Sequence, residues 1–191
     1  MKKFIFSLLT LATLFGACQN NKPTTAEATT PKVVETPPVT TPDPNVVTST
    51  TTCYELVENK KDVTAVELTI AGEGVSGYYA WEPYQKDGGR GFFTGKKTGD
   101  IITAIFTYMI EGSIQSEEIM FKLENGKLLK GRGMLSDPKN DGNMVIKDKS
   151  AVKWNTIFAP VEAAKVARPI KNAKEVYTMI QKQQTIEQSK K

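Results

Sequence analysis

The sequence predicts an all-β domain, an antiparallel eight-stranded up-and-down barrel over residues 53–160. Three observations predict it. Apolar side chains alternate with polar ones in short runs. Turn residues punctuate those runs at roughly 11–13-residue spacing, with no helical stretch between them. Twelve of the sixteen aromatics lie between Tyr54 and Phe158 and none lies in 18–52, so the core-bearing segment is single and small.

What precedes that segment reads as an address and a tether. Lys2 and Lys3 supply a positive n-region, Phe4 to Phe15 an apolar h-region, and Gly16-Ala17 the small residues of a cleavage site, so residues 1–17 are a secretory signal. The stretch is too short to span a bilayer, which takes about 20 apolar residues. Phe15-Gly16-Ala17-Cys18 resembles a bacterial lipobox, with Phe where Leu is usual, and implies lipidation of Cys18. Each buried methylene contributes about 0.8 kcal/mol and one acyl chain holds only marginally, so two or three chains make a stable anchor. The expected partner is a membrane, reached through lipid. Gln19-Asn20, with no Asp after Cys18, resembles the pattern of known lipoprotein sorting rules that favours the outer membrane, and with no acidic run after it to signal surface export the domain is expected to face the periplasm. Residues 18–52 carry six prolines and many threonines. Such a composition cannot offset backbone ordering and reads as a linker with polyproline II character.

Cys53 to Asn59 reads as the first strand. Val66, Leu68 and Ile70 alternate before Gly72-Glu73-Gly74, and Val75, Gly77, Tyr79 and Trp81 before Asp87-Gly88-Gly89. Phe93 marks a fourth strand that ends at Thr98-Gly99-Asp100, and Ile102, Ala104, Phe106 and Tyr108 a fifth that ends at Glu111-Gly112. Ile119, Phe121 and Leu123 lead into Asn125-Gly126, a two-residue hairpin signal. Leu129, Gly131 and Gly133 follow, then a loop over 138–142, and Ile146, Ser150, Val152 and Trp154 close the series. Successive hairpins make a meander, whose open edges are removed most completely by closure into a barrel. Two opposed sheets are the alternative.

Cys53-Tyr-Glu, Val75-Ser-Gly-Tyr-Tyr, Gly99-Asp100, Tyr108-Met-Ile-Glu-Gly112 and the block Lys147–Trp154 resemble recurring blocks of small Gram-negative outer-membrane lipoproteins of unassigned activity. That resemblance covers 53–158 and implies a lipocalin-like barrel, with no reaction attached. Many of those proteins end the domain with a second cysteine, whereas Phe158-Ala-Pro-Val-Glu-Ala has none. With Cys18 lipidated, Cys53 has no partner in its own chain and is expected to be buried and inert.

Residues 161–191 form a basic helical tail, with seven Lys or Arg against three Glu. Pro169 suits a first helical turn, and Ile170, Ala173, Tyr177 and Ile180 recur at helical spacing. The helix is expected to pack on the barrel and to fray after Ile180. Its charge is too sparse, and its aromatics too few, for a nucleic-acid site.

The chain contains no histidine, which removes Ser-His and Cys-His nucleophile pairs and imidazole-bound metals. Glu117 and Glu118 are adjacent on a strand and face opposite sides, so they cannot act together on one substrate. Glu117 shares the phase of Ile119 and Phe121 and is expected to point inward, into an internal salt bridge or towards a ligand. The acids of Asp137–Asn143 lack the spacing of a calcium loop and read as a surface turn. Gly88-Gly-Arg-Gly91 precedes no helix and so lacks a phosphate site. No catalytic residue, metal or cofactor is assigned. The expected ligand-binding set is Tyr79, Trp81, Phe106, Tyr108, Glu117, Phe121 and Trp154, since an eight-stranded barrel is just wide enough to be filled or to hold one small ligand. The function read from the sequence is a membrane-anchored, non-enzymatic binding or envelope-interaction module with a small apolar ligand. A solid adaptor barrel whose basic helix binds a protein partner is the alternative.

Overall fold

Period-two alternation places one phase of each strand inside a common wall and the other outside, and here the wall closes. The computed structural model describes residues 47–189; the predicted signal, Cys18 and most of the linker lie outside the described residues. The strands are β1 (Ser49–Glu58), β2 (Asp62–Ala71), β3 (Gly74–Glu82), β4 (Gly89–Thr98), β5 (Ile101–Ile110), β6 (Ser113–Glu124), β7 (Lys127–Arg132), β8 (Leu135–Ser136), β9 (Asn143–Ile146) and β10 (Lys153–Val161). A 3-10 turn (Ala163–Val166) leads into α1 (Ala167–Gln188). From β1 to β7 every strand pairs antiparallel with the next, and β10 fits between β7 and β1. The eight strands β1 to β7 and β10 form a closed up-and-down barrel.

Turn chemistry closes the hairpins. Asn125 and Gly126 both have positive φ, 51° and 74°, as a two-residue turn between twisted strands requires. The turns at 72–73, 99–100 and 125–126 share one end of the barrel, the base. The turns at 59–61 and 111–112, the loop 83–88 and the insertion 133–152 share the other, the mouth.

The base half is packed. Phe93, Phe121 and Phe158 are fully buried among Val66, Leu68, Ile102 and Leu128. Gly77 makes room for one of those rings, because a Cβ there would collide with the Phe93 side chain and the Glu67 carbonyl.

On the outer wall, α1 lies over β2, β3 and β4. Val166, Ile170, Ala173, Val176 and Ile180 are buried, and the first two pack on Cys53 and Ala65. Tyr177 meets Phe92 and Tyr78 edge-on, with ring centroids 4.6 and 6.1 Å away. The helix cations answer acids of the barrel. Lys165 lies 2.7 Å from Glu55, Arg168 3.0 Å from Glu82 and Lys174 2.8 Å from Glu67. No helix among the described residues is long and apolar enough to cross a membrane.

Three expectations are corrected. The first strand starts at Ser49, so the ladder takes in the last residues assigned to the linker. The closing strand is Lys153–Val161, not the stretch from Ile146 to Trp154; Ile146 ends β9, outside the ring. The helix runs on to Gln188 instead of fraying after Ile180, because its polar last turns are rich in Gln, which favours helix on its own. The interior, which the sequence leaves open, is packed in the base half and holds a cavity in the mouth half.

Candidate functional site: a cup at the mouth of the barrel

The cavity follows from how β6 is paired. Its second half bonds to β7 from Phe121 to Glu124, but its first half turns away and takes β9 as a parallel neighbour at Ser116 and Glu117. The wall splays there, and the β8–β9 insertion fills the gap. The space enclosed is about 490 Å³, within the ~300–1,000 Å³ range of small-molecule sites.

Its floor is Tyr79, whose ring meets Phe106 edge-on at 4.9 Å and Phe121 at 6.4 Å. Over that ring stands the Lys130 ammonium, 4.8 Å from the centroid and 3.5 Å from the Tyr79 hydroxyl, to which it donates. One wall is the stacked pair Phe106 and Tyr108, with centroids 4.6 Å apart and rings inclined by 9°. Trp81, Ile110 and Leu135 carry apolar lining towards the rim, where Trp81 is 42% exposed. The opposite wall is polar. Arg132 donates from Nε to Thr156 Oγ1 at 3.2 Å, and Thr156 pairs across the ladder with Lys130.

The mouth loops are strapped together. Asp62 accepts the Tyr84 N–H at 2.7 Å and the Asn59 amide at 2.9 Å, which ties the 59–61 turn to the 83–88 loop. These bonds hold its carboxyl below the usual carboxylate range, the Tyr84 N–H first. Lys61 covers the Tyr84 ring at 4.1 Å.

Of the seven residues expected to face a ligand, Tyr79, Trp81, Phe106, Tyr108 and Glu117 line this cup. Two do not. Phe121 is fully buried beneath Tyr79, in the packed half. Trp154 lies outside the barrel with Met120, Ile146 and Val152. A register shift between Lys153 and Thr156 inserts an extra residue into β10 and reverses the side of the wall that Trp154 faces.

Glu117 points inward, as its phase predicts, but the expected salt bridge is absent: among the described residues no Lys or Arg pairs with it. Its neighbour is the Tyr108 hydroxyl. Burial raises the pKa of that phenol above its ordinary value, and the Glu117 carboxylate adds to the rise. The hydroxyl also donates to Gln115 Oε1 at 2.9 Å. The ion pair belongs instead to Glu118 on the outer side, 2.6 Å from Lys149.

Lys130, Arg132 and Thr156 went unassigned in the sequence. The pair Leu128-Leu129 leaves the phase of its strand open. Leu128 is the residue in the barrel core, so its phase mates Lys130 and Arg132 face the cup. Cross-strand pairing of Lys130 with Phe121 was the signal that could have shown it.

Among the described residues no three Cys, Asp or Glu side chains converge as a metal site. The acids of the 137–143 loop are occupied locally: Asp137 accepts the Gly142 and Asp141 N–H groups at 2.9 and 3.2 Å, and Asp141 that of Asn143 at 3.0 Å. Cys53 is buried beneath α1, and burial, ahead of the nearby Glu67 carboxylate, pushes its thiol up. No family model, curated protein or solved structure matches the chain.

Proposed function

We propose that this chain is a lipid-anchored outer-membrane lipoprotein whose barrel binds a small ligand without transforming it. One observation carries the binding reading: the cup of about 490 Å³, floored by Tyr79 and walled by Phe106 and Tyr108, which opens at one end of an otherwise packed barrel. A core needing only stability would fill that space, because each void costs packing energy. The anchor rests on Gly16-Ala17-Cys18 behind a short apolar run, and the outer-membrane, periplasm-facing location on Gln19-Asn20. Against the adaptor reading, three cations of the basic tail, Lys165 in the 3-10 turn and Arg168 and Lys174 in α1, are engaged with Glu55, Glu82 and Glu67.

Native mass spectrometry of the gently purified protein tests the binding reading, with a co-purifying small molecule as the expected result. A clean apo spectrum, together with no displacement of an environment-sensitive dye by any amphiphile, would overturn it. For the anchor, Cys18→Ser should release the protein from the membrane fraction and remove the diacylglyceryl mass. Unchanged fractionation would refute it.

A further inference from the structure

Two cations of β7 line the cup, Lys130 half-buried and Arg132 exposed nearer the rim. Lys130 and Arg132 are two residues apart on one strand, so both side chains emerge on the same face. Among the described residues neither forms an ion pair; every such pair involves other cations. The partners they do have are neutral: the ring and hydroxyl of Tyr79 for Lys130, and the hydroxyl of Thr156 for Arg132. Adjacent like charges on one face of a strand repel each other, and an anion placed against both would relieve that repulsion. Four cations elsewhere are paired: Lys149, Lys165, Arg168 and Lys174 all reach carboxylates across sequence-distant elements. None of the acids around the cup pairs with either: Glu117 interacts with Tyr108, Glu58 is exposed at the rim, and the Glu118 carboxylate turns to the outer side of β6, onto Lys149.

The geometry points to an amphipathic organic anion as the ligand, a carboxylate or its equivalent with a compact apolar body; this rests on the binding reading above. The anionic head goes in first, to the Lys130 ammonium over the floor and the Arg132 guanidinium beside it. The apolar body then lies along Phe106 and Tyr108 and ends against Trp81 and Ile110 at the rim. Because the base half is packed, the floor limits how deep the ligand can reach. Charge-assisted hydrogen bonds to the head would be the stronger part of the recognition, and the aromatic wall would set its shape.

The test uses the full chain and a matched series: decanoate, decanol and decylamine below their micellar concentrations, each displacing a bound anilinonaphthalene sulfonate dye. Decanoate is expected to bind at least about tenfold more tightly than decanol, and decylamine most weakly, since one charge-assisted contact is worth about that ratio. Lys130→Met keeps the length of the side chain and removes its charge; it should bring decanoate and decanol to within about threefold of each other. The wild-type series carries the test even if that variant folds poorly. Equal binding of decanoate and decanol to the wild type would overturn the anion proposal and leave the binding reading standing. Tighter binding of decylamine would overturn it in favour of Glu117 as the dominant charge. Failure of all three, and of the dye, would remove the binding reading itself.

Discussion

At Glu118 one carboxylate oxygen accepts the Ile146 N–H at 3.1 Å and the other the Lys149 ammonium at 2.6 Å. With only 9% of its side chain exposed, that carboxylate pins the β8–β9 insertion to the outer side of β6. Removing it leaves a buried N–H without an acceptor, at a cost of about 1–3 kcal/mol. Glu118→Ala should therefore speed hydrogen exchange at the Ile146 amide far more than at β2 amides, and exchange rising uniformly across the barrel would contradict this local role. Strand alternation in the sequence tells that Glu117 and Glu118 face opposite sides. It does not tell which one finds a cation, because Lys149 lies 31 residues downstream and arrives through an insertion with almost no periodicity of its own.

The turns and most strands were legible, since alternation and Gly- or Asn-containing turns are local properties. Three things were not. The phase of β7 depended on its neighbours across the ladder, the facing of Trp154 depended on a bulge, and the depth of Phe121 depended on a ring from β3 lying over it. The C-terminal helix shows the same division. Its spacing predicts the buried stripe, but the barrel decides where it lands. Ile170 is 4% exposed between α1 and the patch that contains Cys53 and Ala65. Ile170→Ala should cost about 2–5 kcal/mol in a urea titration, as large-to-small core substitutions do. Because burial both shields the Cys53 thiol and keeps it protonated, the same variant should alkylate faster at Cys53, read by peptide mapping. Lost stability with unchanged alkylation would mean that the helix does not guard that cysteine.

Across the whole molecule, acid and base limits follow from opposite shifts. Asp62, Asp137 and Asp148 are all held below the carboxylate range, chiefly by the Tyr84 N–H, the Gly142 N–H and the Ser150 hydroxyl respectively. Each is a stronger acid folded than unfolded, so the unfolded chain takes up more protons as pH falls below about 4, and stability present above that value is lost. Burial raises Tyr54 and Tyr108. The folded state keeps their protons longer, so stability present below about pH 10 is lost as pH climbs through the raised values. Melting temperatures should plateau between these limits and fall on both sides, with Asp62→Asn flattening part of the acid limb. A melting temperature that rises on acidification below pH 4 would contradict the assignment.

The ring is joined where its first strand meets its last. There the ladder has only three partnered positions, Cys53 with Val161, Tyr54 with Pro160 and Glu55 with Ala159, against ten between β1 and β2. Pro160 has no N–H to contribute. Immediately beyond it the chain doubles back, and Lys165 grips Glu55 while Val166 presses on the Cys53 patch. The C-terminal segment thus works as a clasp over the barrel's narrowest stitch: a chain that stopped at residue 161 would keep every strand and still be the easiest to unzip.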